Sequence, residues 1–527
     1  MEDLDLLTIK EASEWASEHL KINVTPSNIS YLINYGKIKK HGENGNTQLR
    51  KKELLEYYAS SRKSKEGIWK TELGADLNWA LSFDQYKEAE TTKHVHRLHP
   101  YKGKFIPQLV EYFLDNHVDN FKRQVYFNPG DVIIDPFSGS GTTMVQGNEL
   151  GMHVIGIDIS EFNSLIGNSK VKKYKLVDLQ KILLEISKKL KIFVDDTNIS
   201  KFEETLLNLL YSFNNEHFPV PEFKYKREQG HIDEDVYGSE KIKLFLPAYN
   251  ELITKYNISL HQDSKESFLD KWYIKTVRDE IDYIYQEINK ITDESLKNIV
   301  TIILSRTIRS CRATTHSDLA TLLEPVYSPY YCTKHGKICK PLFSILKWWE
   351  KYSKDTVERL KEFNSLKTET FQYCLTGDSR TTDIFEGIRD VDMNFYNIIQ
   401  QHRIKGIFSS PPYVGLIDYH EQHAYAYDLF KFKRRDEQEI GRLFNGQGRE
   451  AKESYAASIS MVLINCKRFF VDDYDVFLVA NDKYNLYPTI AEKSGMSIVN
   501  TFKRPVLNRT EKDKGAYSEI IFHLKAR

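Results

Sequence analysis

The sequence predicts an α/β fold with a mostly parallel sheet, and two stretches of the chain support this prediction. Residues 131–137, Asp-Val-Ile-Ile-Asp-Pro-Phe, form an apolar strand that runs into a Ser-Gly-Ser-Gly-Thr-Thr turn and a helix to about residue 150. A second strand, residues 154–157, follows and ends in Asp158. Strand, glycine turn, helix, strand and acid in this order are typical of a nucleotide-binding βαβ unit. The second stretch is an apolar run at residues 406–408, which predicts a buried strand that ends in Ser-Ser-Pro-Pro-Tyr.

The glycine turn is suited to close contact with a ligand. Gly139 and Gly141 permit a sharp turn and a close approach of the backbone. Asp158 is placed to bind ribose hydroxyls. Two threonines stand where a dinucleotide site has its third glycine, which disfavours NAD and favours an adenosyl ligand without a pyrophosphate.

Residues 410–413, Ser-Pro-Pro-Tyr, form a stiff turn after the second predicted strand. The two prolines exclude a helix and remove two backbone donors. The Ser410 hydroxyl and the carbonyl oxygens beside the prolines remain as acceptors, and Tyr413 offers a flat face. The turn therefore suits a planar group that carries an NH2, such as a nucleobase. The same tetrapeptide also occurs in proline-rich linkers, but here the flanks are apolar and aromatic.

Together, the two motifs resemble those of the DNA amino-methyltransferases, which use S-adenosyl-methionine to methylate the exocyclic amine of cytosine or adenine. The resemblance covers about residues 91–175 and 371–527 and implies a Rossmann-like methyltransferase core. It implies a base flipped out of the duplex, and chemistry that needs no metal or covalent nucleophile. The implied catalytic turn is Ser410, Pro411, Pro412 and Tyr413, with Tyr413 stacked on the base. The implied cofactor-binding residues are Lys104, Phe105, Asp135, Phe137, Gly139, Gly141, Thr142, Asp158 and Asp378.

Three of these residues, Lys104, Phe105 and Asp378, lie outside the motifs and depend on the resemblance. Lys104, in a Tyr-x-Gly-Lys-Phe-x-Pro segment, would pair with the cofactor carboxylate, and Asp378 would hold the adenine. The alternatives are a solvated lysine and a turn-forming Asp-Ser. His94, His96 and His99 precede the segment, and we expect a surface strand there rather than a metal site, because no partner ligand is near in sequence.

The resemblance favours cytosine N4 as the target, because serine at the first motif position is more usual in the cytosine enzymes. The motif order, with the glycine loop before the Pro-Pro-Tyr turn, keeps adenine N6 open. Two other classes remain: a DNA-binding regulator with an inactive methyltransferase-like fold, and an enzyme that methylates RNA or a protein glutamine.

Residues 6–60 resemble the excisionase and MerR-like winged helix-turn-helix domains. Thr8 and Glu11 are set for a capping box, Pro26 opens a second helix, and Gly36 ends it. An Asn-Gly turn within residues 37–49 predicts the wing. A helical protein-protein domain is the alternative. In the DNA-binding interpretation, Asn28, Ser30 and Tyr31 face the major groove, while Lys39, Lys40 and Arg50 meet phosphates.

The chain is divided into a winged helix-turn-helix at 1–62, a linker at 63–90, a first core part at 91–175, a helical insertion at 176–370 and a second core part at 371–527. The insertion is the candidate target-recognition domain. Within it, Arg306 and Arg309 share a helix face, for phosphate binding or for an internal ion-pair network. After the catalytic turn, residues 418–421 are candidates to line or gate the base pocket, and residues 434–450 are interpreted as a mobile DNA-clasping loop.

The cysteines allow one metal hypothesis. Cys332, His335 and Cys339 have a spacing that suits zinc, with His316 or Cys311 as a fourth ligand. The sequence completes no four-ligand pattern, so ordinary thiols in a loop are preferred and no metal is assigned.

Composition sets the remaining limits. Lys+Arg and Asp+Glu both number 74, so the formal charge is zero and any DNA contact must come from local patches. The chain has five cysteines and no run of 18 apolar residues, which predicts a cytoplasmic protein with no membrane partner. The expected partners are double-stranded DNA and a companion restriction endonuclease or defence-system protein.

Overall fold

The computed structural model describes residues 5–20, 24–42, 47–61, 72–74, 76–83, 85–101, 103–316, 318, 322–506 and 516–527. The strands are β1 Leu6–Thr8, β2 Gln48–Arg50, β3 Val132–Asp135, β4 His153–Asp158, β5 Tyr330–Cys332, β6 Lys337–Cys339, β7 Gln372–Thr376, β8 Ile404–Ser409, β9 Phe470–Ala480, β10 Met496–Pro505 and β11 Ser518–Ala526.

The helices are α1 Ile9–Leu20, α2 Pro26–Asn34, α3 Lys51–Ser61, α4 Glu88–Thr91, α5 Pro107–Leu114, α6 Thr142–Glu149, α7 Glu161–Val171, α8 Leu176–Asp195, α9 Ile199–His217, α10 Glu222–Glu228, α11 Glu234–Tyr256, α12 Phe268–Trp272, α13 Lys275–Asn289, α14 Glu294–Ser310, α15 Leu346–Asn364, α16 Ile384–Val391, α17 Met393–His402, α18 Ala424–Phe430, α19 Arg449–Lys467 and α20 Tyr487–Lys493. Single 3₁₀ turns occur at Trp79–Ser82, His94–Arg97, Glu421–His423, Asp436–Gln438 and Leu443–Asn445.

Seven strands form one sheet in the order β10-β11-β9-β8-β3-β4-β7. From β9 to β7 every neighbouring pair is parallel, whereas β10 and β11 form an antiparallel hairpin on the edge of β9. The prediction of an α/β fold with a mostly parallel sheet is confirmed. Because parallel neighbours end at one edge of the sheet, the loops after β3, β4, β7 and β8 meet there.

The sheet is covered on both faces, as its central strands require. Val132 and Ile134 of β3 face one apolar layer, which includes Ile388 and Ile459 from helices α16 and α19. Ile133 faces the opposite layer. Alternate residues of a strand point to opposite faces, so an uninterrupted apolar run needs cover on both sides.

Helices α8 to α15 follow β4 in the chain and precede β7. Their apolar stripes pack against one another in a cluster that contains Leu183, Ile284, Ile303 and Trp349, all at most 4% exposed. The chain then returns to the sheet, where β7 pairs with β4. These helices are therefore inserted between two strands that still pair with each other in the sheet.

The N-terminal segment holds three helices and a two-stranded pairing of β1 with β2. Thr8 and Glu11 exchange the predicted capping hydrogen bonds, at 2.8 and 3.3 Å, and Thr25 forms a second capping box. Gly36 follows α2 at a φ of +70°. The predicted Asn-Gly turn of the wing lies outside the described residues.

Side-chain packing corrects the expectation for the three histidines and decides between the two alternatives for Arg306. The surface strand predicted for His94, His96 and His99 is wrong: these residues lie in and beside a 3₁₀ turn and are at most 3% exposed. They are buried because α15 and α7 cover them, with Phe363 stacked on His94. Of the two alternatives for Arg306, the structure shows the internal ion pair, 2.5 Å from Asp355.

None of the helices in the described ranges is sufficiently long and apolar to span a bilayer.

Candidate active site

A cavity opens where the parallel strands end, between the loops after β3, β4, β7 and β8. It brings together ten of the thirteen predicted site residues although they span more than three hundred positions in sequence. These ten are Lys104, Phe105, Asp135, Phe137, Gly139, Thr142, Asp158, Asp378, Ser410 and Pro412. Gly141, Pro411 and Tyr413 are not among the lining residues.

The glycine-turn motif and the Ser-Pro-Pro-Tyr motif are held together by strand pairing and a hydrogen bond. β3 and β8 are parallel neighbours, and Ser409 Oγ donates a hydrogen bond of 2.5 Å to Asp135 Oδ1. The Phe137 amide donates to the same oxygen at 3.2 Å. Asp135 is 1% exposed, and burial raises the pKa of its carboxyl group to about 6 because the charged form is poorly solvated.

The two glycines of the turn serve different contacts. Gly139 has a φ of +50°, and a Cβ there would lie 3.1 Å from the ring of Tyr101. Gly141 has a φ of +75°, and its Cβ would lie 2.9 Å from the Cα of Gly167 on α7. Gly139 thus shapes the cavity wall. Gly141 instead allows α6 and α7 to approach each other, which explains why it does not face the cavity.

Asp158 ends β4 and holds the glycine turn. Its carboxylate accepts hydrogen bonds from the Gly139 amide at 2.8 Å, the Ser160 amide at 2.9 Å and Asn163 Nδ2 at 3.1 Å. Burial raises the pKa of the Asp158 carboxyl to about 6, against the effect of these donors. Ser140 Oγ and Asn163 Oδ1 also line the cavity region, and each is buried without a hydrogen-bond partner among the described residues. Such atoms favour a polar ligand.

Lys104 and Asp378 both line this cavity. Lys104 Nζ donates to the His96 carbonyl at 2.8 Å, and burial, assisted by the charge of Arg97, lowers the pKa of its ammonium to about 8. Asp378 is held by Arg380, whose Nη2 lies 2.7 Å from Oδ2. Arg380 therefore competes with any ligand for the Asp378 carboxylate.

The Ser-Pro-Pro-Tyr turn presents only part of itself to the cavity. Ser410 and Pro412 line it, Pro411 is buried beneath, and the Tyr413 hydroxyl donates to Glu519 Oε1 of β11 at 2.9 Å. The ring of Tyr413 is thus fixed by the C-terminal hairpin. The aromatic side chains that line the cavity are Tyr101, Phe105, Phe137 and Tyr419.

The two loops predicted to gate the pocket and to clasp DNA contact each other. Tyr419 lines the cavity, and Glu439 accepts from the backbone amides of His420 at 2.8 Å and Tyr419 at 3.3 Å. Arg434 pairs with Glu421 at 3.1 Å. Lining residues without a predicted role include Tyr101, Asn163 and Ser379. Tyr101 precedes the Gly-Lys-Phe segment, which is a signal for its position. Gln438, Glu439 and Ile440 belong to the predicted DNA-clasping loop, and no sequence signal placed them in the cavity wall.

The predicted metal candidates lie in the helical part of the chain. Cys332, His335 and Cys339 are brought together by the β5–β6 hairpin, and His316 joins them. Cys311 does not belong to this group, because its thiol is buried at the end of α14.

Several known methyltransferases are similar to this chain. The profile of a family described as DNA methylase, of the N6/N4 type, matches residues 10–168, which include the glycine turn. The Type II methyltransferase M.MjaII of Methanocaldococcus jannaschii is 46% identical over 524 residues, which are 99% of this chain and 97% of that protein.

Two other relatives match a shorter part. The Type II methyltransferase M.BsoBI of Geobacillus stearothermophilus is 32% identical over 101 residues, 19% of this chain and 18% of its own. The Type II methyltransferase M.MvaI of Kocuria varians is 33% identical over 97 residues, 18% of this chain and 19% of its own. Among solved structures, the rRNA methyltransferase aviRa of Streptomyces viridochromogenes aligns over 84% of this chain and 94% of its own at 7% identity, but its TM-score of 0.29 is too low to inform the fold.

Proposed function

This chain belongs to the DNA methylase family that acts on N6 or N4 amines, and from that premise we propose that it methylates cytosine at N4 in double-stranded DNA. The observation that carries the proposal is the single cavity in which Ser410 and Pro412 face the glycine turn and Asp158. A methyl donor and an acceptor amine must meet in one place, and this cavity offers a surface for each.

The residues of the cavity fit S-adenosyl-methionine, the methyl donor that the family implies. The Asp158 carboxylate would accept hydrogen bonds from the ribose, and the Lys104 ammonium would pair with the carboxylate of the methionine end. The unpartnered Ser140 Oγ and Asn163 Oδ1 are available to polar atoms of the ligand. Asp378 would hold the adenine, provided that Arg380 shares its carboxylate.

When bound, this cofactor supplies a methyl group on a sulfonium, which is already a good leaving group. The protein therefore has to place the nucleophile rather than activate the donor. Positioning of two reactants in this way contributes roughly 7–11 kcal/mol to lowering a barrier. The Ser410 hydroxyl and the carbonyl beside Pro411 would accept the two amine hydrogens. They would thereby hold the nitrogen lone pair away from conjugation with the ring.

The base has to leave the duplex to reach this cavity. A stacked base keeps its amine inside the helix, so we propose that the target is flipped, as for other enzymes that act on a base. Tyr413 does not line the cavity and its hydroxyl donates to Glu519, so a ring that does line it, such as that of Tyr419, would stack on the extruded base. The serine at position 410, where the adenine enzymes more often have an acidic or amide side chain, favours cytosine.

The N-terminal segment is proposed to be a winged helix-turn-helix that contacts the DNA outside the catalytic cavity. Asn28 and Tyr31 of α2 are exposed, as the groove-facing role requires, and Lys39 and Arg50 are exposed on the adjoining turn and strand. We further propose a companion restriction endonuclease, which would cleave the sequence that this enzyme protects.

Transfer of labelled methyl groups tests the proposal. The full chain would be incubated with tritiated S-adenosyl-methionine and unmethylated genomic DNA, followed by digestion to nucleosides. Label in N4-methyl-deoxycytidine is the expected result. Label in N6-methyl-deoxyadenosine would overturn the cytosine assignment, and label only in parallel RNA or protein samples would overturn the choice of DNA.

A further inference from the structure

We propose that His316, Cys332, His335 and Cys339 form a structural zinc site in the helical part of the chain. One candidate ligand atom from each residue lies within 4.8 Å of the others, and all four residues are buried or half-buried. Two cysteines and two histidines are a common ligand set for structural zinc. No other group described in the chain joins two thiols and two imidazoles in this way.

The distances match those of a tetrahedral ion. Zinc bonds of about 2.3 Å to sulfur and about 2.0 Å to nitrogen place a sulfur and a nitrogen about 3.5 Å apart in a tetrahedron. Cys332 Sγ lies 3.5 Å from His335 Nδ1 and 3.7 Å from His316 Nδ1. Cys339 Sγ lies 3.4 Å from His335 Nδ1. These three edges are therefore close to the required length.

The backbone around the cluster is already shaped to hold it. β5 and β6 pair in register from Tyr330 with Cys339 to Cys332 with Lys337. The amides of His335 and Gly336 both donate to the Cys332 carbonyl, at 3.1 and 2.7 Å, and Gly336 takes a φ of +62°. This tight turn directs two cysteines and a histidine to one side of a short hairpin.

The fourth ligand is held by the hairpin itself. The Tyr330 hydroxyl lies 3.1 Å from the His316 amide and 2.7 Å from His316 Nδ1. It thus fixes a residue of the preceding loop beside the cysteines. If Nδ1 binds the ion, the ion replaces this side-chain hydrogen bond, while the contact to the His316 amide can remain.

Four protein ligands fill the coordination sphere of zinc, so the ion would have a structural role with no open position for a substrate. Two thiolates would balance its charge. The turn of the hairpin contacts α10, because Arg227 Nη1 donates to the Thr333 carbonyl at 2.8 Å. A Cβ at Gly336 would also lie 3.3 Å from the side chain of Lys224.

Helix α10 in turn contacts the N-terminal segment. Lys224 Nζ lies 4.3 Å from the centre of the Tyr35 ring, and Lys37 pairs with Glu228 at 2.7 Å. A Cβ at Gly36 would lie 2.7 Å from the Lys224 backbone. The zinc ion would therefore stabilise the helix that the N-terminal segment contacts, and none of its four ligands lines the catalytic cavity.

Metal analysis of the intact chain tests the site directly. Protein purified in a reducing buffer without chelator should contain about one zinc per chain, because a closed Cys2His2 site binds zinc tightly. Cobalt added to chelator-treated protein should give the visible absorption of tetrahedral Co²⁺ and a thiolate charge-transfer band. Protein that contains no zinc, and that binds neither metal after its thiols are shown to be reduced, would overturn the proposal.

Matched variants locate the ligands. Cys332→Ser and Cys339→Ser should each lose the bound zinc, whereas Cys311→Ala should retain it, because that thiol lies outside the cluster. Retention of zinc and of the cobalt spectrum by both serine variants would overturn the assignment of these ligands. If a serine variant fails to fold, the cobalt spectrum of the wild-type chain still decides, because tetrahedral thiolate coordination is visible without any substitution.

Discussion

The catalytic cavity and the Cys/His cluster are both assembled from separate parts of the chain, but by different means. The cavity collects residues from position 101 to position 440, because neighbouring parallel strands end at one edge of the sheet. The cluster collects residues 316–339 by a hairpin and a hydrogen bond from Tyr330. The first is a property of sheet topology, and the second is a property of one local turn. The catalytic cavity should therefore keep its function when the Cys/His cluster is disrupted.

The strongest test of this contrast is Ser410→Ala. Loss of the acceptor should lower the rate of methyl transfer by about 100-fold or more, by analogy with removal of one polar group that stabilises a transition state. Affinity for S-adenosyl-methionine should stay within about twofold, since Ser410 faces the base side. Single-turnover transfer and calorimetric titration measure the two quantities. A full transfer rate would remove Ser410 from the catalytic turn.

A pair of glycine variants sharpens the role of the sheet edge. Gly139→Ala places a methyl group 3.1 Å from the Tyr101 ring, so affinity for S-adenosyl-methionine should fall about tenfold or more. Gly130→Ala is the matched control, because Gly130 also has a positive φ, +91°, yet has no atom within 4 Å of the added Cβ. Equal losses of affinity in both variants would show that backbone strain, and not the cavity wall, is responsible.

The next largest effect is expected in the pH dependence of the affinity for S-adenosyl-methionine. Burial raises the pKa of Asp158 to about 6, above its ordinary value of 3.8, so its carboxylate is charged above that pH and neutral below it. Because the ribose contact needs an acceptor, affinity for S-adenosyl-methionine should fall by up to about tenfold per pH unit below 6. Titration from pH 5 to 8 measures this. Burial also raises the pKa of Asp135 to about 6, which makes the pH dependence of the affinity steeper. Asp158→Asn should bind more weakly at pH 7.5 and show a flatter dependence; an unchanged profile would contradict the assignment.

The independence of the two regions can be tested with Cys339→Ser. The cluster shares no residue with the cavity, so affinity for S-adenosyl-methionine should stay within about twofold, while the melting temperature falls by several degrees if the ion stabilises the fold. Differential scanning calorimetry and titration measure the two. A loss of cofactor affinity without a change in melting temperature would show that the regions are coupled.

The smallest effect is expected for Lys37→Ala, which removes the ion pair with Glu228. Both side chains are partly exposed, and such pairs contribute about 0–1 kcal/mol. Chemical denaturation should therefore show a change near the limit of detection. Gly36→Ala at the same contact should cost clearly more, because its Cβ would lie 2.7 Å from the Lys224 backbone.

Much of the sheet was predictable from sequence, because the apolar runs at residues 132–134 and 406–408 indicated the buried strands β3 and β8. The meeting of the two motifs followed from the parallel arrangement of those strands. The side chains that were placed less well depend on distant contacts. Gly141 faces Gly167, and Tyr413 is anchored to Glu519, a residue more than a hundred positions away.

The histidines show the same limit. His94 and His96 are buried by α15, which lies more than 250 positions further along the chain, and no local pattern could indicate that cover. His316 and Cys332 were close enough in sequence to be considered together. Only the loop geometry distinguishes His316 from Cys311 as the fourth member of the cluster.

The position of β11 has a consequence for synthesis of the chain. This strand follows β10 in sequence but lies between β10 and β9 in the sheet. Until a ribosome has extruded residues 518–526, β9 has an unpaired edge, and such edges are prone to join other chains. Glu519 is in the same strand, so the nascent polypeptide also lacks the anchor of Tyr413 until then. Nascent chains should therefore need protection from aggregation before they can become competent enzymes.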